Sequence, residues 1–461
     1  MGRTRDEVPM AGKRIVMATV GSQGDLFPLL AAGRELMARG HQVTIGAHGI
    51  HREAVAEAGL AFLLASGIEE PADKAAFTAR AFDPVRGPRF VVRDLAAADV
   101  AASYAALAPV CRDADAIVTT TLAFAGQILG ETTGAAWLSA VFAPSVFLSA
   151  FDPPATGVPF VDRFLRASPE RGALLRRFVE WVTSSWTADV RRFRVSLGLA
   201  PVSEWGDPLH RGQHAPDGVL AMYSPLLGHP PADAPGNTRV TGYCRYAASA
   251  GVLSPDLAVF LDAGDPPIVF TLGSAAVHAG ERFLHESLVA VRTLKRRAVL
   301  LIGSPEMRAR LPRELPDGVV AFEYAPHGAL FARAAAVVHH GGVGTTQEAL
   351  RAGHPQLVVP HGFDQPDNAA RVVRLGAGDV LPARQYRADK AARKLAVLLG
   401  DDGVGLKAQL VAAGIRGEQG AAVAADAIEA AMALRATLPF TRNPPAHAAY
   451  KPPPAPPSLH H

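Results

Sequence analysis

The stretch Val337-Val-His-His-Gly-Gly-Val-Gly-Thr-Thr-Gln-Glu-Ala-Leu-Arg-Ala-Gly353 decides the fold of the second half of this chain. It predicts a short buried strand over Ala336 to Val338, a glycine-rich turn, and a helix that ends at Gly353. Thr345 and Thr346 are expected to cap that helix. The free N–H groups of a helix N-terminus, together with the positive end of its dipole, suit a phosphate or diphosphate.

Polar side chains follow this turn at positions that could meet the same ligand. His340 adds a side-chain donor, and Asp364-Gln365 comes after a second predicted buried strand, Gln356 to Val359. A diphosphate site beside a carboxylate–amide pair suggests a sugar nucleotide. The alternative for His340 is an ordinary loop histidine. A metal site made by His339 and His340 is disfavoured, because adjacent residues of an extended chain point to opposite faces.

The beginning of the chain predicts a strand–helix–strand unit. Arg14 to Val20 is an apolar run, Pro28 suits the start of a helix, and Gln42 to Ile45 predicts the next strand. The loop Gly21-Ser-Gln-Gly-Asp25 lies at the carboxyl end of the first strand, where open α/β sheets bind ligands. Asp25 is therefore a candidate general base, although a helix cap would use the same residue type.

Two other sequence patterns do not predict a binding site. Gly21 and Gly24 do not have the G-x-G-x-x-G spacing, and no acidic residue closes the second strand, so an NAD site is not expected. Asp113-Ala-Asp115 matches the D-x-D motif of metal-dependent sugar transferases, but it lies where a helix gives way to a strand. Solvated charges at a turn are the simpler interpretation, and no metal site is predicted.

Strand and helix patterns recur along the whole chain and predict two α/β units. The linker is placed where core signals are few. The expected organisation is an N-terminal unit over 1–245, a linker over 246–256, a C-terminal unit over 257–400, helices over 401–438 and a Pro-rich tail over 439–461.

The middle of the chain carries many aromatic residues. Ala143 to Phe164 is rich in Pro and Phe and predicts a surface loop, and Glu170 to Leu197 predicts one long helix. The aromatic residues of that helix either belong to the core or line an apolar acceptor pocket: Phe178, Trp181, Trp186 and Phe193.

The composition is that of a globular protein. A formal charge of +3 on 461 residues is too small to indicate a nucleic-acid partner. Cys111 and Cys244 are the two cysteines, too few for a disulfide framework. No signal peptide or membrane span is predicted, so the expected location is cytoplasmic. The oligomeric state cannot be predicted from these patterns.

Four segments together resemble the donor-binding signature of the family 1 (UGT-like) glycosyltransferases, bacterial type. These are Glu323-Tyr-Ala-Pro-His-Gly-Ala-Leu, His339-His-Gly-Gly-Val-Gly-Thr-Thr, Ala352-Gly-His-Pro and Pro360-His-Gly-Phe-Asp-Gln365. The opening Gly21-Ser-Gln-Gly-Asp25 is similar to that of bacterial and sterol-type members. The order of motifs most resembles rhamnolipid-forming rhamnosyltransferases and sterol or macrolide glucosyltransferases.

The resemblance implies a GT-B fold, in which two Rossmann-like domains with parallel sheets face each other across a cleft. The N-terminal domain would bind the acceptor and the C-terminal domain the nucleotide sugar, with the last helices crossing back to the N-terminal domain. Asp25 would be the catalytic base. By position in the family motif, the donor-binding residues would be Gly273, Ser274, Tyr324, His327, His340, Gly342, Gly344, Thr345, Glu348, Asp364 and Gln365.

Within that set the resemblance implies distinct roles. Tyr324 and His327 stand where plant members have Trp and Gln at the nucleotide base, which leaves the identity of the base open. Glu348 would hold ribose hydroxyls, while Asp364 and Gln365 would hold the sugar. The residues placed on the diphosphate are Gly273, Ser274, His340, Gly342, Gly344 and Thr345.

The implied activity is inverting, metal-independent transfer of a hexose or deoxyhexose to a hydroxyl of a hydrophobic small molecule. The donor would be a UDP- or dTDP-sugar, which acts as co-substrate, and no other cofactor is expected. A sugar-nucleotide epimerase of similar two-domain architecture is the alternative from another reaction class. It would bind the donor without an acceptor pocket.

Overall fold

The structure is a computed structural model that describes residues 12–69, 71, 73–83, 86–246, 251–273 and 280–438. Two parallel sheets form its framework, so the predicted α/β class with two parallel sheets is confirmed. Parts of the sequence predictions lie outside the described residues: Ser274, residues 247–250 of the linker, and the tail 439–461.

The first sheet has seven strands, which are β1 Arg14–Ala18, β2 Gln42–Ala47, β3 Ala61–Leu64, β4 Ala116–Thr119, β5 Ala136–Val141, β6 Val219–Ala221 and β7 Thr238–Val240. Their order is β3-β2-β1-β4-β5-β6-β7, and all neighbours are parallel. The chain reverses its direction of travel across the sheet between β1 and β4. The turn after β1 leads into the first turn of α1, which contains Asp25, at this switch point, where such sheets form a crevice.

The second sheet has six strands, which are β8 Ile268–Thr271, β9 Ala298–Leu301, β10 Val319–Phe322, β11 Ala336–His339, β12 Gln356–Val358 and β13 Gly378–Val380. They are parallel in the order β10-β9-β8-β11-β12-β13. The switch point here lies between β8 and β11, the strand that leads into the glycine turn. Both sheets therefore repeat one topology, as the sequence pattern predicts.

Helices cover both faces of the sheets, as the near-continuous apolar strands require. In the first half they are α1 Gln23–Ala38, α2 Arg52–Glu57, α3 Lys74–Ala81, α4 Gly87–Ala97, α5 Val100–Cys111, α6 Phe124–Thr132, α7 Pro159–Leu165, α8 Pro169–Thr183 and α9 Ala188–Ser196. In the second half they are α10 Pro255–Asp262, α11 Glu281–Leu294, α12 Pro305–Ala309, α13 His327–Phe331, α14 Val343–Ala352, α15 Gln365–Leu375, α16 Ala388–Gly400, α17 Asp402–Arg416 and α18 Gly420–Thr437.

The last helix, α18, packs on the first sheet. Its buried residues Ala424, Ile428 and Met432 belong to the same apolar cluster as Leu29 and Leu36 of α1. Ion pairs join the surfaces around this contact. Arg39 reaches Asp426 and Glu429, each at 2.7 Å, and His41 lies 2.9 Å from Glu429.

Two helix predictions need correction. Helix α1 begins at Gln23, because Ser22 and Asp25 form a reciprocal capping box, and Pro28 lies inside the helix. The predicted helix Glu170 to Leu197 is two helices. Between them Thr183 and Ser184 direct their hydroxyls to backbone carbonyls, which competes with helix continuation. The helices predicted over 401–438 are present as α17 and α18.

The segment Ala143 to Phe164 is more ordered and more buried than a surface loop. It contains a 3₁₀ turn over Pro144–Phe147 and the first part of α7. Ala150 and Ala155 within it are buried. The segment packs on α15 of the second half through hydrogen bonds that sequence periodicity does not reveal.

Candidate active site

The register of the second sheet brings two predicted site residues together. Thr271 of β8 pairs with His339 of β11, so the residues after these strands emerge side by side. Gly273 adopts a positive φ of 67°, and a Cβ there would lie 2.5 Å from Cε1 of His340. Glycine is therefore needed at position 273 to admit the His340 ring.

The glycines of this turn differ in what an added side chain would meet. Gly341 has a φ of 92°, and a Cβ on Gly342 would lie 2.4 Å from Nε2 of His340. A Cβ on Gly344 would meet no atom within 4 Å. The chain's own packing therefore explains the first two glycines, and Gly344 is the one that faces open space, as a ligand site requires.

The predicted caps of α14 are wrong. The N-cap is Gly342, and Thr345 and Thr346 lie within the helix, where both are buried. Gly342 has no side chain, so no side chain at the cap position accepts the first-turn N–H groups. The donors expected at a helix N-terminus therefore start at Val343, two residues before the predicted position.

His340 is buried and neutral at physiological pH. Burial lowers its pKa well below 6.5, and neighbouring His339 and His361 lower it further. Its Nδ1 is buried and has no hydrogen-bond partner among the described residues. His339 differs: its Nε2 lies 2.8 Å from the Gln356 side-chain oxygen and its Nδ1 accepts from the Gly341 amide, as a structural histidine does.

Asp364 and Gln365 lie at the start of α15, beside the turn. Asn368 donates one hydrogen bond to Oδ2 of Asp364, at 2.8 Å, and another to the carbonyl of Gly341, at 2.9 Å. The side-chain oxygen of Gln365 accepts from the His361 amide at 2.7 Å. This bond leaves the amide nitrogen of Gln365 as the group that could donate to a sugar hydroxyl.

Sequence analysis missed Asn368, which orients Asp364. The signal was present as spacing, because residues four apart on a helix share a face.

The contacts of Asp25 are compatible with both interpretations of the sequence, a helix cap and a candidate general base. The Ser22 amide donates to Oδ2 of Asp25 at 2.8 Å, and the Ser22 hydroxyl lies 3.3 Å from the same oxygen. Both contacts use Oδ2, so Oδ1 is the oxygen that a substrate hydroxyl could approach. Burial raises the pKa of Asp25 above 3.8, although its bonds to Ser22 oppose the shift. The residue therefore caps α1 and presents a carboxylate to the crevice.

A second missed residue supports this loop. Nε2 of His51 lies 3.0 Å from the carbonyl oxygen of Gly21, to which it must donate. A Cβ on Gly21 would lie 2.2 Å from Oδ2 of Asp25. The loop that holds the carboxylate is thus fixed by a histidine on one side and leaves no room for a side chain on the other.

Asp25 of the first half and Asp364 of the second half interact electrostatically. Burial raises the pKa of Asp364 and the hydrogen bond from Asn368 lowers it; with the smaller raising effect of the negative charge on Asp25, the pKa comes to about 6. The two halves therefore enclose a cleft with the glycine turn, Asp364 and Asp25 along it.

Glu348, on α14, is already paired on one side. Its Oε1 accepts from the Tyr243 hydroxyl at 3.0 Å and from Nε of Arg245 at 2.8 Å. Its Oε2 is buried and has no hydrogen-bond partner among the described residues. One carboxylate oxygen is therefore held by the end of the first half, and the other could accept from a ribose hydroxyl.

The residues expected at the nucleotide base lie after β10 and at the start of α13. Tyr324 follows β10 and is 67% exposed, so a ring face is open to stacking. His327 opens α13, its ring stacks on Phe331 at a centroid distance of 4.6 Å, and burial lowers its pKa to about 4.

The four aromatic residues of the middle segment do not form one pocket. Phe193 is buried and Trp186 packs against the same core cluster, whereas Phe178 and Trp181 are 59% and 73% exposed. A cavity of about 370 Å³ lies nearby and is lined by other residues, among them Phe147, Trp205 and His214.

Asp113 and Asp115 lie at the amino end of β1, on the opposite edge of the first sheet from Asp25. Asp115 accepts from Lys13 at 3.1 Å and from the Arg14 amide at 2.8 Å, while Asp113 is mostly exposed. Within the described part of the chain, no three His, Cys, Asp or Glu side chains are grouped so that they could hold a metal ion.

No single helix among the described residues is long and apolar enough to cross a membrane. One bent pair of helices, Gly87–Ala97 with Val100–Cys111, has the length and the apolar composition of a membrane span, and this rests on length and composition alone.

Models of two sequence families match this chain. The Glycosyltransferase family 28 N-terminal domain matches residues 15–151, and the Erythromycin biosynthesis protein CIII-like C-terminal domain matches residues 291–429. The two matches fall on the two halves that hold Asp25 and the glycine turn.

Two relatives illustrate the similarity over the full length. The O-mycaminosyltylonolide 6-deoxyallosyltransferase of Streptomyces fradiae is 32% identical over 431 residues, which cover 88% of this chain and 94% of that protein. A sterol 3-beta-glucosyltransferase of Arabidopsis thaliana is 28% identical over 432 residues, covering 90% of this chain and 65% of the relative.

Solved structures agree on the fold. The glycosyltransferase VinC, solved in complex with dTDP, superimposes with a TM-score of 0.64 at 20% identity and covers 91% of this chain and 100% of VinC. This match shows the GT-B arrangement of two Rossmann-like parallel sheets. Together with the 32% identity to a full-length transferase, it establishes that the chain belongs to the family 1 GT-B glycosyltransferases, which are nucleotide-sugar-dependent enzymes.

Proposed function

We propose that this enzyme transfers a hexose or deoxyhexose from a UDP- or dTDP-sugar to a hydroxyl of a hydrophobic small molecule, with inversion and without a metal ion. The observation that carries the proposal is the open space at Gly344, at the start of α14 and beside the turn to which Asn368 links Asp364. Asp25 of the other half acts electrostatically on that carboxylate. The relatives support the choice of substrates, since their names give a 6-deoxyallosyl and a glucosyl transfer. VinC was solved with dTDP.

The donor diphosphate would lie over the start of α14. The amides from Val343 onwards and the open space at Gly344 suit its oxygens, and the ring of His340 supplies a neutral donor. A leaving diphosphate gains negative charge as the sugar bond breaks. Preorganised N–H donors stabilise that charge without needing to reorganise, which is why we propose a metal-independent reaction.

The sugar would lie between the two carboxylates. Asp364 would accept from sugar hydroxyls and Gln365 would donate through its amide nitrogen, while both are held by bonds from neighbours. On the opposite side, Oδ1 of Asp25 would take the proton of the acceptor hydroxyl. The oxygen of the acceptor then attacks the anomeric carbon from the face opposite the diphosphate, so the configuration inverts.

We also propose that the domain boundaries follow the two sheets, with the acceptor bound by residues 1–245 and the nucleotide sugar by residues 257–400. The last helix, α18, would complete the N-terminal domain, as the packing of Ile428 and Met432 into its core supports. The preceding helix, α17, packs on the second half, where Ile415 shares a cluster with Leu350.

The nucleotide is identified first, by thermal unfolding in the presence of UDP, dTDP, GDP or ADP. A ligand that binds the folded state raises its apparent stability by mass action. We expect UDP or dTDP to give the largest increase. His340→Ala should reduce that increase, because it removes the side-chain donor from the diphosphate.

Turnover then tests the base. With UDP-glucose or dTDP-glucose and a hydroxyl acceptor, Asp25→Asn should lower kcat/KM by about 10²–10⁴-fold, the usual contribution of general-base catalysis. Asp113→Asn is the matched control, since that carboxylate is exposed at the opposite edge of the same sheet. Equal turnover by Asp25→Asn and the parent would refute the assignment of the base.

A further inference from the structure

Arg371, in the middle of α15, connects the two halves of the molecule. The side chain is 2% exposed, and its guanidinium donates in three directions. Nε reaches Oδ2 of Asp367 at 2.6 Å, Nη1 reaches the carbonyl of Leu227 at 2.9 Å, and Nη2 reaches Oδ2 of Asp152 at 2.7 Å. Only Asp367 belongs to the same half. Asp152 and Leu227 follow β5 and β6 of the first sheet.

Asp367, the partner on the same helix, makes a second connection. It is 1% exposed, and its Oδ1 accepts from the Ala155 amide at 3.0 Å. The same oxygen lies 3.5 Å from Nη2 of Arg166. Each member of the buried Arg371–Asp367 pair is therefore bonded to the first half as well as to the other member.

The first half is shaped to receive this pair. A Cβ on Gly228 would lie 2.4 Å from Nη1 of Arg371, so a larger residue could not stand next to the guanidinium. Because a buried charge that loses its partner is strongly destabilising, the halves cannot separate here without exposing or re-pairing these groups.

Helix α15 joins this connection to the sugar side of the cleft. Asn368 lies one turn before Arg371 and bonds to Asp364 and to the Gly341 carbonyl. Helix α15 is thus bonded to the glycine turn through Asn368 and to the first half through Arg371. A rigid helix held in this way fixes where Asp364 stands relative to Asp25.

We propose that Arg371, through its pair with Asp367, is a positioning residue for sugar transfer. It holds the second half so that Asp364 and Gln365 stand at the working distance from Asp25. The role in transfer rests on the function proposed above, whereas the connection between the halves does not. We expect its loss to lower kcat and to leave nucleotide affinity unchanged, because the diphosphate would be bound by α14.

The distance between the halves can be measured directly. Spin labels on Glu53→Cys in the first half and Lys390→Cys in the second would report it by double electron–electron resonance. Both positions are exposed, and the native Cys111 and Cys244 are buried. We expect a narrow distance distribution for the labelled parent and a broader one for Arg371→Met and Asp152→Asn.

Arg374→Met is the matched control. Arg374 lies on the same helix, is 43% exposed, and approaches Asp152 only to 3.9 Å, so its loss should leave the distribution narrow. Asp152→Asn is the second variant, for the case that Arg371→Met does not fold. It removes one charge contact between the halves and keeps the Arg371–Asp367 pair within the helix. If neither Asp152→Asn nor Arg371→Met broadens the distribution beyond that of Arg374→Met, the proposal is overturned.

Kinetics separate positioning from simple stability. With UDP-glucose or dTDP-glucose and 4-methylumbelliferone as acceptor, Arg371→Met should lose about 10²-fold in kcat, as displaced reacting groups do. The dissociation constant for UDP or dTDP should match that of the parent, and Arg371→Lys should recover part of kcat. Weakened nucleotide binding with unchanged kcat would overturn the positioning role. If the unmodified enzyme transfers no sugar, the proposed function fails, while the distance measurement still decides whether Arg371 joins the halves.

Discussion

Asp25 and Asp364 belong to different halves of the chain, yet the charge on Asp25 contributes to the raised pKa of Asp364. Burial is the larger cause, and together these effects bring that pKa from 3.8 to about 6. The negative charges of the two carboxylates repel each other. A sugar that places hydroxyls between them would relieve the repulsion.

The raised pKa of Asp364 predicts a pH-dependent stability. A carboxylate whose pKa is higher in the folded state stabilises the fold when it is protonated, and this contribution is lost as the pH rises through the folded pKa. We therefore expect Asp364→Asn to become more stable relative to the parent as the pH rises from 3.8 to about 6, in unfolding measured without nucleotide. Asp389→Asn, which changes an exposed carboxylate, should show no such trend.

The second prediction concerns Gly21. Its φ of 149° disfavours other residues, and an added Cβ would lie 2.2 Å from Oδ2 of Asp25. Gly21→Ala should therefore displace the carboxylate and lower kcat/KM by about 10²-fold. The control is Gly198→Ala, whose φ of 77° is also positive but whose Cβ would meet no atom within 4 Å. Similar kinetics for the two variants would show that Asp25 does not depend on this close contact.

The glycine turn gives a third prediction, in which binding and stability separate. A Cβ on Gly344 meets nothing in the protein, so Gly344→Ala should unfold at the temperature of the parent or higher. It should nevertheless bind UDP or dTDP more weakly, because the methyl group would occupy the space proposed for the diphosphate. Calorimetry measures both quantities. Undiminished nucleotide affinity in this variant would place the diphosphate elsewhere.

The contact between α18 and α1 yields a fourth prediction, on stability alone. Ile428 is fully buried in the core of the first sheet, so Ile428→Ala should cost about 2–5 kcal/mol of unfolding free energy. Leu434→Ala, on the same helix but 61% exposed, should change it by less than about 0.5 kcal/mol. Denaturant unfolding compares them. Equal costs would mean that α18 does not complete that core.

Local patterns predicted the parts of the site that depend on neighbours in sequence. The apolar runs before Gly21 and Gly341 predicted strands, and the glycines predicted turns at their carboxyl ends. From these elements alone the glycine turn and the segment that carries Asp25 could be located. Parallel pairing of β8 with β11 then accounts for the meeting of Gly273 and His340.

Contacts between distant segments could not be predicted in this way. Arg371 and Asp367 have the spacing of an ordinary surface ion pair on a helix, and only the fold shows that the first half buries them. Glu348 likewise gives no sign in sequence that Tyr243 and Arg245 occupy one of its oxygens. Pro28 is a common first helical residue, so the predicted start of α1 lies beyond the cap that the structure shows at Ser22.

The return of α18 to the first sheet has a consequence for biosynthesis. A ribosome makes the chain from its N-terminus, so the residues that cover α1 are translated only after the whole second sheet has been made. A nascent chain that has emerged as far as Gly400 still carries Leu29 and Leu36 without Ile428 and Met432 against them. Until the last helix leaves the exit tunnel, Leu29 and Leu36 of the first half therefore lack the apolar residues that cover them in the folded enzyme.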